Sequence, residues 1–184
     1  MNKYSPIIIS GPSGCGKDTV VAELHKLDQR IVTAVSATTR APRDGEIDGV
    51  DYYFISEKEF KEKIASGDFL EYASYNGKYY GTLKSEVKRL GDEGKYCVLV
   101  IEVCGGANII SLYPDCISVF LMPPSIEELE RRLRKRGSES DENIRKRLEI
   151  AKTEIERRDI YKYVIVNDAL DKTVDEIYNI IEKE

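Results

Sequence analysis

"SGPSGCGKDT", residues Ser10 to Thr19, sets four residues between Gly11 and Gly16-Lys17. This is the spacing of a loop whose backbone N–H groups cradle phosphates, except that Asp18 stands where a serine or threonine is expected. Ahead of it, "PIIIS" (Pro6 to Ser10) reads as a buried strand, and "KDTVVAELHKL" from Lys17 has helical apolar spacing. Strand, glycine turn and helix therefore follow in the order that aims loop amides and a helix N-terminus at one anion. Gly11, Gly14 and Gly16 let the backbone close on phosphates, with Pro12, Ser13 and Cys15 between them, and Lys17 neutralises the β- and γ-phosphates. A tight turn with a chance lysine is the plainer alternative, and the flanking strand and helix argue against it.

Outside the loop, short β-branched runs alternate with helical patterns, as in an α/β protein with a parallel sheet. The expected strands are Ile31–Val35, Tyr96–Val103, Ile117–Met122 and Tyr163–Val166. Capping boxes at Ser56/Glu59, Ser125/Glu128 and Thr173/Glu176 signal helix starts. Between Ala37 and Asn76 the pattern loosens into tyrosines, glycines and charges, which reads as an inserted lobe rather than sheet core.

At 184 residues with 41% hydrophobic residues, the chain suits one domain with a sizeable core. A net charge of −5 argues against general nucleic-acid binding. Cys15, Cys97, Cys104 and Cys116 lack ligand spacing, so neither a zinc site nor a disulfide scaffold is indicated. The first residues, "MNKYSPIIIS", have too short an apolar run for a signal peptide, and no later run would span a bilayer. The expectation is a cytoplasmic protein that engages neither membrane nor nucleic acid, as a monomer or small homo-oligomer.

A second constellation spans "SATTRAPRDGEIDGVDYYF" (Ser36 to Phe54) and "EYASYNGKYYGT" (Glu71 to Thr82). Arg40 and Arg43 with hydroxyls of Ser36, Thr39, Tyr52 and Tyr80 suit a second phosphate, away from the loop. A solvated charged face and partial tyrosine core would be the ordinary account of the same residues. Together with the loop and the later "PPS", "RRLRKRG", "IRKRLEIA" and "VIVND", these stretches closely resemble the guanylate kinase family, from Ile7 to about Leu170.

The resemblance implies a P-loop fold: a parallel five-stranded sheet flanked by helices, with core residues 1–36 and 94–184, a GMP-binding lobe at about 37–93 and a helical lid at about 136–150. It implies transfer of the γ-phosphoryl of ATP to GMP or dGMP with Mg2+. By motif position, Ser36, Arg40, Arg43, Tyr52 and Tyr80 correspond to the GMP-phosphate cradle, and Glu71 and Thr82 to the guanine readers. The chemistry agrees, since a carboxylate accepts guanine's N1–H and amine while a hydroxyl donates to O6. Adenine reverses that pattern, and a factor on the order of 10⁴ in selectivity can follow. Arg132, Arg136 and Arg147 fall on positions that close over the phosphates, and Asn167 on one near the adenine, so Lys17, Arg40, Arg136 and Arg147 are the catalytic expectation.

The chain departs from the family on the metal side. Where the family has Asp-x-Asp-x-Gln-Gly, this sequence reads "VIEVCG", with Val100, Glu102 and Cys104. Glu102 is expected either to contact guanine or a metal-bound water, or to be a strand-end charge. Asp18 is open to two readings: a magnesium ligand, directly or through water, or a helix-start anion favoured by about 0.3–1 kcal/mol, with Thr19 supplying any hydroxyl. Two other functions stay in view. A kinase of this fold acting on a sugar phosphate would have no use for base readers, and a non-catalytic binding module would have no use for Lys17 and its glycines.

Overall fold

The apolar run ahead of the glycine turn is buried throughout: β1 (Ile7–Ser10) exposes none of Ile7, Ile8 and Ile9, as expected of a strand covered on both faces. The computed structural model describes residues 5–75, 77–135 and 140–184. After β1 come α1 (Lys17–Leu27), β2 (Ile31–Thr33), β3 (Ala37–Thr38), β4 (Tyr53–Phe54), α2 (Glu57–Ala65), β5 (Phe69–Tyr75) and β6 (Lys78–Leu83). Then follow α3 (Lys84–Asp92), β7 (Tyr96–Val100), α4 (Val103–Leu112), β8 (Ser118–Met122), α5 (Ile126–Lys135), α6 (Asp141–Ile155), β9 (Tyr163–Val166) and α7 (Leu170–Lys183).

Five strands form one parallel sheet in the order β2-β7-β1-β8-β9. Side chains alternate across it. Ile7, Ile9, Val98, Val119 and Leu121 pack with Val20 and Leu24 of α1 and Ile177 and Ile181 of α7, whereas Ile8, Leu99 and Phe120 pack with Leu90 of α3 and Ile109 of α4. β1 is central, so the glycine turn opens at the carboxyl ends of the strands, between β7 and β8, where ligands of open α/β sheets bind.

The segment between β2 and β7 is more ordered than the sequence pattern predicts. It contains a second sheet, β4-β3-β6-β5, with β3 and β4 parallel and the other pairs antiparallel. Its core is aromatic: Phe60 of α2 stacks on Phe69 at 4.2 Å and on Tyr79 at 5.3 Å. Gly81 lies where a Cβ would stand 2.7 Å from the Glu71 carbonyl, so only glycine lets β5 and β6 approach there.

Ser56 and Ser125 cap as expected, accepting from the N–H groups of Glu59 and Glu128 at 3.1 Å. Thr173 does not. α7 begins a turn earlier, and the Thr173 N–H already bonds to the Ala169 carbonyl at 3.0 Å. Ser140 caps α6, the second of two helices expected around the Gly-Ser turn. The strand expected over Tyr96–Val103 stops at Val100, and α4 follows directly; that expected over Ile31–Val35 stops at Thr33. Among the described residues no helix is long and apolar enough to cross a membrane.

Candidate active site

The turn between β1 and α1 is held in shape from both sides. Gly11, Gly14 and Gly16 all take positive φ (141°, 92° and 101°), and a Cβ on Gly11 would stand 2.2 Å from the Leu121 carbonyl oxygen, so a side chain there is excluded twice over. Gly14 packs on Leu129 and Leu133 of α5. The Cys15 carbonyl accepts from Asn167 Nδ2 at 2.9 Å and from Arg132 Nη1 at 3.3 Å, and Arg132 Nη2 donates to the Asn167 carbonyl at 3.0 Å. Asn167 is buried. Arg132 and Asn167 thus buttress the phosphate loop from behind, with Glu128 Oε1 holding Arg132 Nε at 2.8 Å.

Lys17 Nζ donates to the Gly11 carbonyl at 2.6 Å and the Pro12 carbonyl at 3.1 Å, so its charge sits over the loop. From α6, Arg147 Nη1 reaches Ser13 Oγ at 3.4 Å. Arg136 lies outside the described residues. α6 brings one residue that the sequence reading missed. Glu154 is half-buried, and burial pushes its carboxyl above the usual range, with the Glu102 charge adding to this and Lys17 opposing it. Its seven-residue offset from Arg147 puts both on one helix face, a spacing visible in the sequence.

Asp18 and Thr19 are exposed in the first turn of α1. Asp18 borders a cleft of about 500 Å³, shared with His25, Ser36, Asp51, Tyr52 and Val100, that separates α1 and β7 from the second sheet. A larger groove of about 640 Å³ runs between α1 and α7, shares no residue with the loop, and is not part of the site.

The second sheet carries the other half. β5 and β6 shift register between Phe69 and Glu71, a bulge that sets Glu71 directly opposite Thr82. Glu71 Oε1 accepts from the Thr82 N–H at 3.0 Å and its hydroxyl at 2.9 Å. Glu71 Oε2 lies 3.6 Å from where a Gly105 Cβ would stand, so it faces the start of α4. Burial holds the Glu71 carboxyl above its ordinary value, and the Thr82 bonds pull it back in part. Thr82 itself is buried.

Arg40 lies at the end of β3, where buried Thr38 Oγ1 accepts its N–H at 3.2 Å and donates to the Tyr79 carbonyl at 3.0 Å. Its guanidinium lies over the rings of Tyr52 at 5.3 Å and Phe54 at 5.7 Å, with Tyr80 edge-on to Tyr52 at 6.1 Å. The Thr39 hydroxyl, expected among the phosphate groups, accepts the Tyr79 N–H at 3.0 Å. Arg43 is exposed, and Ser36 lines the cleft. Glu102 is exposed at the N-terminus of α4, with no side-chain cap bond. Among the described residues no group of three or more acidic, histidine or cysteine side chains could enclose a metal. Magnesium fits such a site only when held by one or two carboxylates, water and substrate phosphates.

The family model for guanylate kinase matches residues 3–184. A guanylate kinase of Halalkalibacterium halodurans is 46% identical over 178 residues, covering 97% of this chain and 87% of the relative. One from Clostridium perfringens is 45% identical over 183 residues, covering 100% and 85%. The crystal structure of guanylate kinase from Anaplasma phagocytophilum superimposes with a TM-score of 0.73 at 35% identity, covering 97% of this chain and 85% of that one. With the phosphate loop at the crevice of the parallel sheet and a carboxylate-bearing second sheet inserted before β7, the chain belongs to the guanylate kinase family.

Proposed function

We propose that the protein transfers the γ-phosphoryl group of ATP to GMP, giving ADP and GDP. The observation that carries this reading is the Glu71–Thr82 pair, a half-buried acceptor beside a buried hydroxyl, on a sheet inserted between two strands of the phosphate-loop sheet. An ionised carboxylate there accepts the two donors of guanine's Watson–Crick edge. A sugar phosphate presents no such edge.

In this reading ATP lies along the Gly11–Thr19 loop, with Lys17 leaving the loop carbonyls for the phosphates and Arg147 reaching in from α6. Residues 37–93 form the acceptor lobe, and a lid over 136–150 closes on the donor. Arg40, Arg43, Ser36, Tyr52 and Tyr80 hold the acceptor phosphate. Asn167 and Arg132 keep the loop rigid. Asp18, with phosphates and water, would hold magnesium, which when bound offsets charge on the transferring group. The chemistry is positioning and charge neutralisation without a covalent intermediate.

The test is coupled ADP release with GMP, dGMP, AMP, CMP, UMP and ribose 5-phosphate as acceptors. Strong preference for GMP and dGMP supports the assignment. Equal use of AMP removes the base-reading role of Glu71, and activity confined to ribose 5-phosphate replaces the substrate class.

A further inference from the structure

Glu46 is absent from the roles given so far, yet it organises the acceptor-phosphate side. Its carboxylate takes the end-on fork of Arg40, with Nη1 donating to Oε2 and Nη2 to Oε1, both at 2.8 Å. Oε2 also accepts the Arg43 backbone N–H at 2.7 Å. The turn is closed again by the Glu46 N–H bonding to the Arg43 carbonyl at 3.1 Å. Only 18% of the Glu46 side chain and 16% of that of Arg40 are exposed, so the pair is not a mobile surface contact.

The donors of Arg40 can be counted. A guanidinium has five N–H groups arranged in two usable forks. Nη1 gives one hydrogen to Glu46 and one to the Ala41 carbonyl at 2.8 Å, and Nη2 gives one to Glu46. The remaining Nε–H and second Nη2–H form the side fork; beyond Glu46 and Ala41 the guanidinium interacts with the Tyr80 hydroxyl, itself one of the groups assigned to the acceptor phosphate. The rings of Tyr52 and Phe54 fix the plane of the group. A side fork on a guanidinium held in plane is the arrangement that takes two oxygens of a phosphate.

We infer that Glu46 is the positioning residue of the acceptor-phosphate site: it holds one fork of Arg40 and the Arg43 turn so that the other fork is presented to the phosphate of the nucleoside monophosphate. The inference rests on the reading of GMP as acceptor. It carries a paradox that makes it testable, because an anion beside a phosphate site repels the ligand. Removing Glu46 would strengthen phosphate binding if charge alone mattered. If geometry decides, removal weakens it.

The experiment compares the wild type, Glu46→Ala and Glu46→Gln by calorimetric binding of GMP and of guanosine, which lacks the phosphate, alongside KM and kcat for GMP and ATP. The expected result is that Glu46→Ala weakens GMP binding and raises its KM by about ten- to a hundredfold, the scale of lost charge-assisted bonds, while guanosine binding and the KM for ATP stay within about twofold. Glu46→Gln, which keeps an oxygen for the Arg43 N–H and one Arg40 donor, recovers part of the loss. GMP binding that is unchanged or tighter in Glu46→Ala overturns the inference, as does parallel loss of guanosine and GMP, which would mark a general support of the lobe. If the wild type itself neither binds nor phosphorylates GMP, the reading of the acceptor fails instead, and the two failures are told apart.

Discussion

Thr82 grips one oxygen of Glu71 twice, through its N–H at 3.0 Å and its hydroxyl at 2.9 Å, and the second oxygen is left facing α4. In the proposed complex with guanine the hydroxyl would rotate to donate to O6, while the N–H goes on fixing the carboxylate.

Base selectivity should therefore depend on the charge of Glu71. Glu71→Gln places an amide donor where guanine presents donors, and the preference for GMP over AMP should fall by about ten- to a hundredfold, more than kcat falls. Acid pH should mimic the change. The Glu71 carboxyl is held above 4.5 by burial, so the KM for GMP should rise as pH drops through that raised value, and Glu71→Gln should lack this limb. Stability runs the other way: the folded state binds this proton more tightly than the unfolded chain does, so the contribution of Glu71 is complete at acid pH and lost as pH rises through its folded value. Glu71→Gln should thus gain on the wild type in urea titrations between pH 4 and pH 7.

Glu86 of α3 joins the two sheets. It is buried and accepts from the Val35 N–H at 3.2 Å, the Tyr53 hydroxyl at 3.1 Å and the Arg89 fork at 2.9 and 2.8 Å. Burial alone would raise its carboxyl, but the Arg89 bonds and the Val35 N–H outweigh this and hold it low. Its stabilising contribution is present above the unfolded value and lost as pH falls through the folded one. Glu86→Gln should cost about 1–3 kcal/mol in urea unfolding at pH 7, and the difference should shrink under acid conditions. An unchanged midpoint would contradict the joint's importance.

Thiol reactivity should divide the cysteines sharply. Cys15, Cys97 and Cys116 are buried, and burial raises all three thiols, Cys97 to about 12. Cys104 is exposed beside Gly105, near Glu71, with its sulfur accepting from Arg157 Nη1 at 3.3 Å. A disulfide reagent should titrate Cys104 alone in the native protein and reach the others only on unfolding. GMP should slow the native reaction, and ATP should not.

Asp18 faces the cleft rather than the core. If it holds magnesium, Asp18→Asn should raise the magnesium concentration for half-maximal rate severalfold, and Asp18→Ser should be tolerated better. The physical ground is that a bare carboxylate 4 Å from a phosphate charge is repelled by roughly 4 kcal/mol at an effective dielectric of 20, which a divalent ion turns into a bridge. Unchanged magnesium dependence with a small loss of stability assigns Asp18 to the helix start.

The loop was legible because its information is local: β1, the glycines and α1 are contiguous, and each glycine answers to a backbone constraint within the turn. The second sheet was not, because β3 and β4 contribute two residues each and exist only through pairing with distant partners. α4 hid for a related reason. "VCGGANIISL" is a poor helix former read alone, and Gly106 is there for tertiary space, since a Cβ would stand 2.2 Å from the Tyr161 hydroxyl. Glu71 and Thr82 could be matched to a family motif, but their mutual bonds depend on a bulge that no spacing reveals. The partners of Glu46 and Glu154 come together only once the loop and α6 are folded.

The central claim is phosphoryl transfer from a nucleotide in the loop to GMP read by Glu71. It is tested most directly by incubating the protein with γ-labelled ATP, GMP and magnesium and separating the products. The label should appear in the β-phosphate of GDP, one equivalent for each ADP formed, and Lys17→Ala should abolish it. Label released as inorganic phosphate, or GMP recovered unchanged while both nucleotides are bound, would contradict the account.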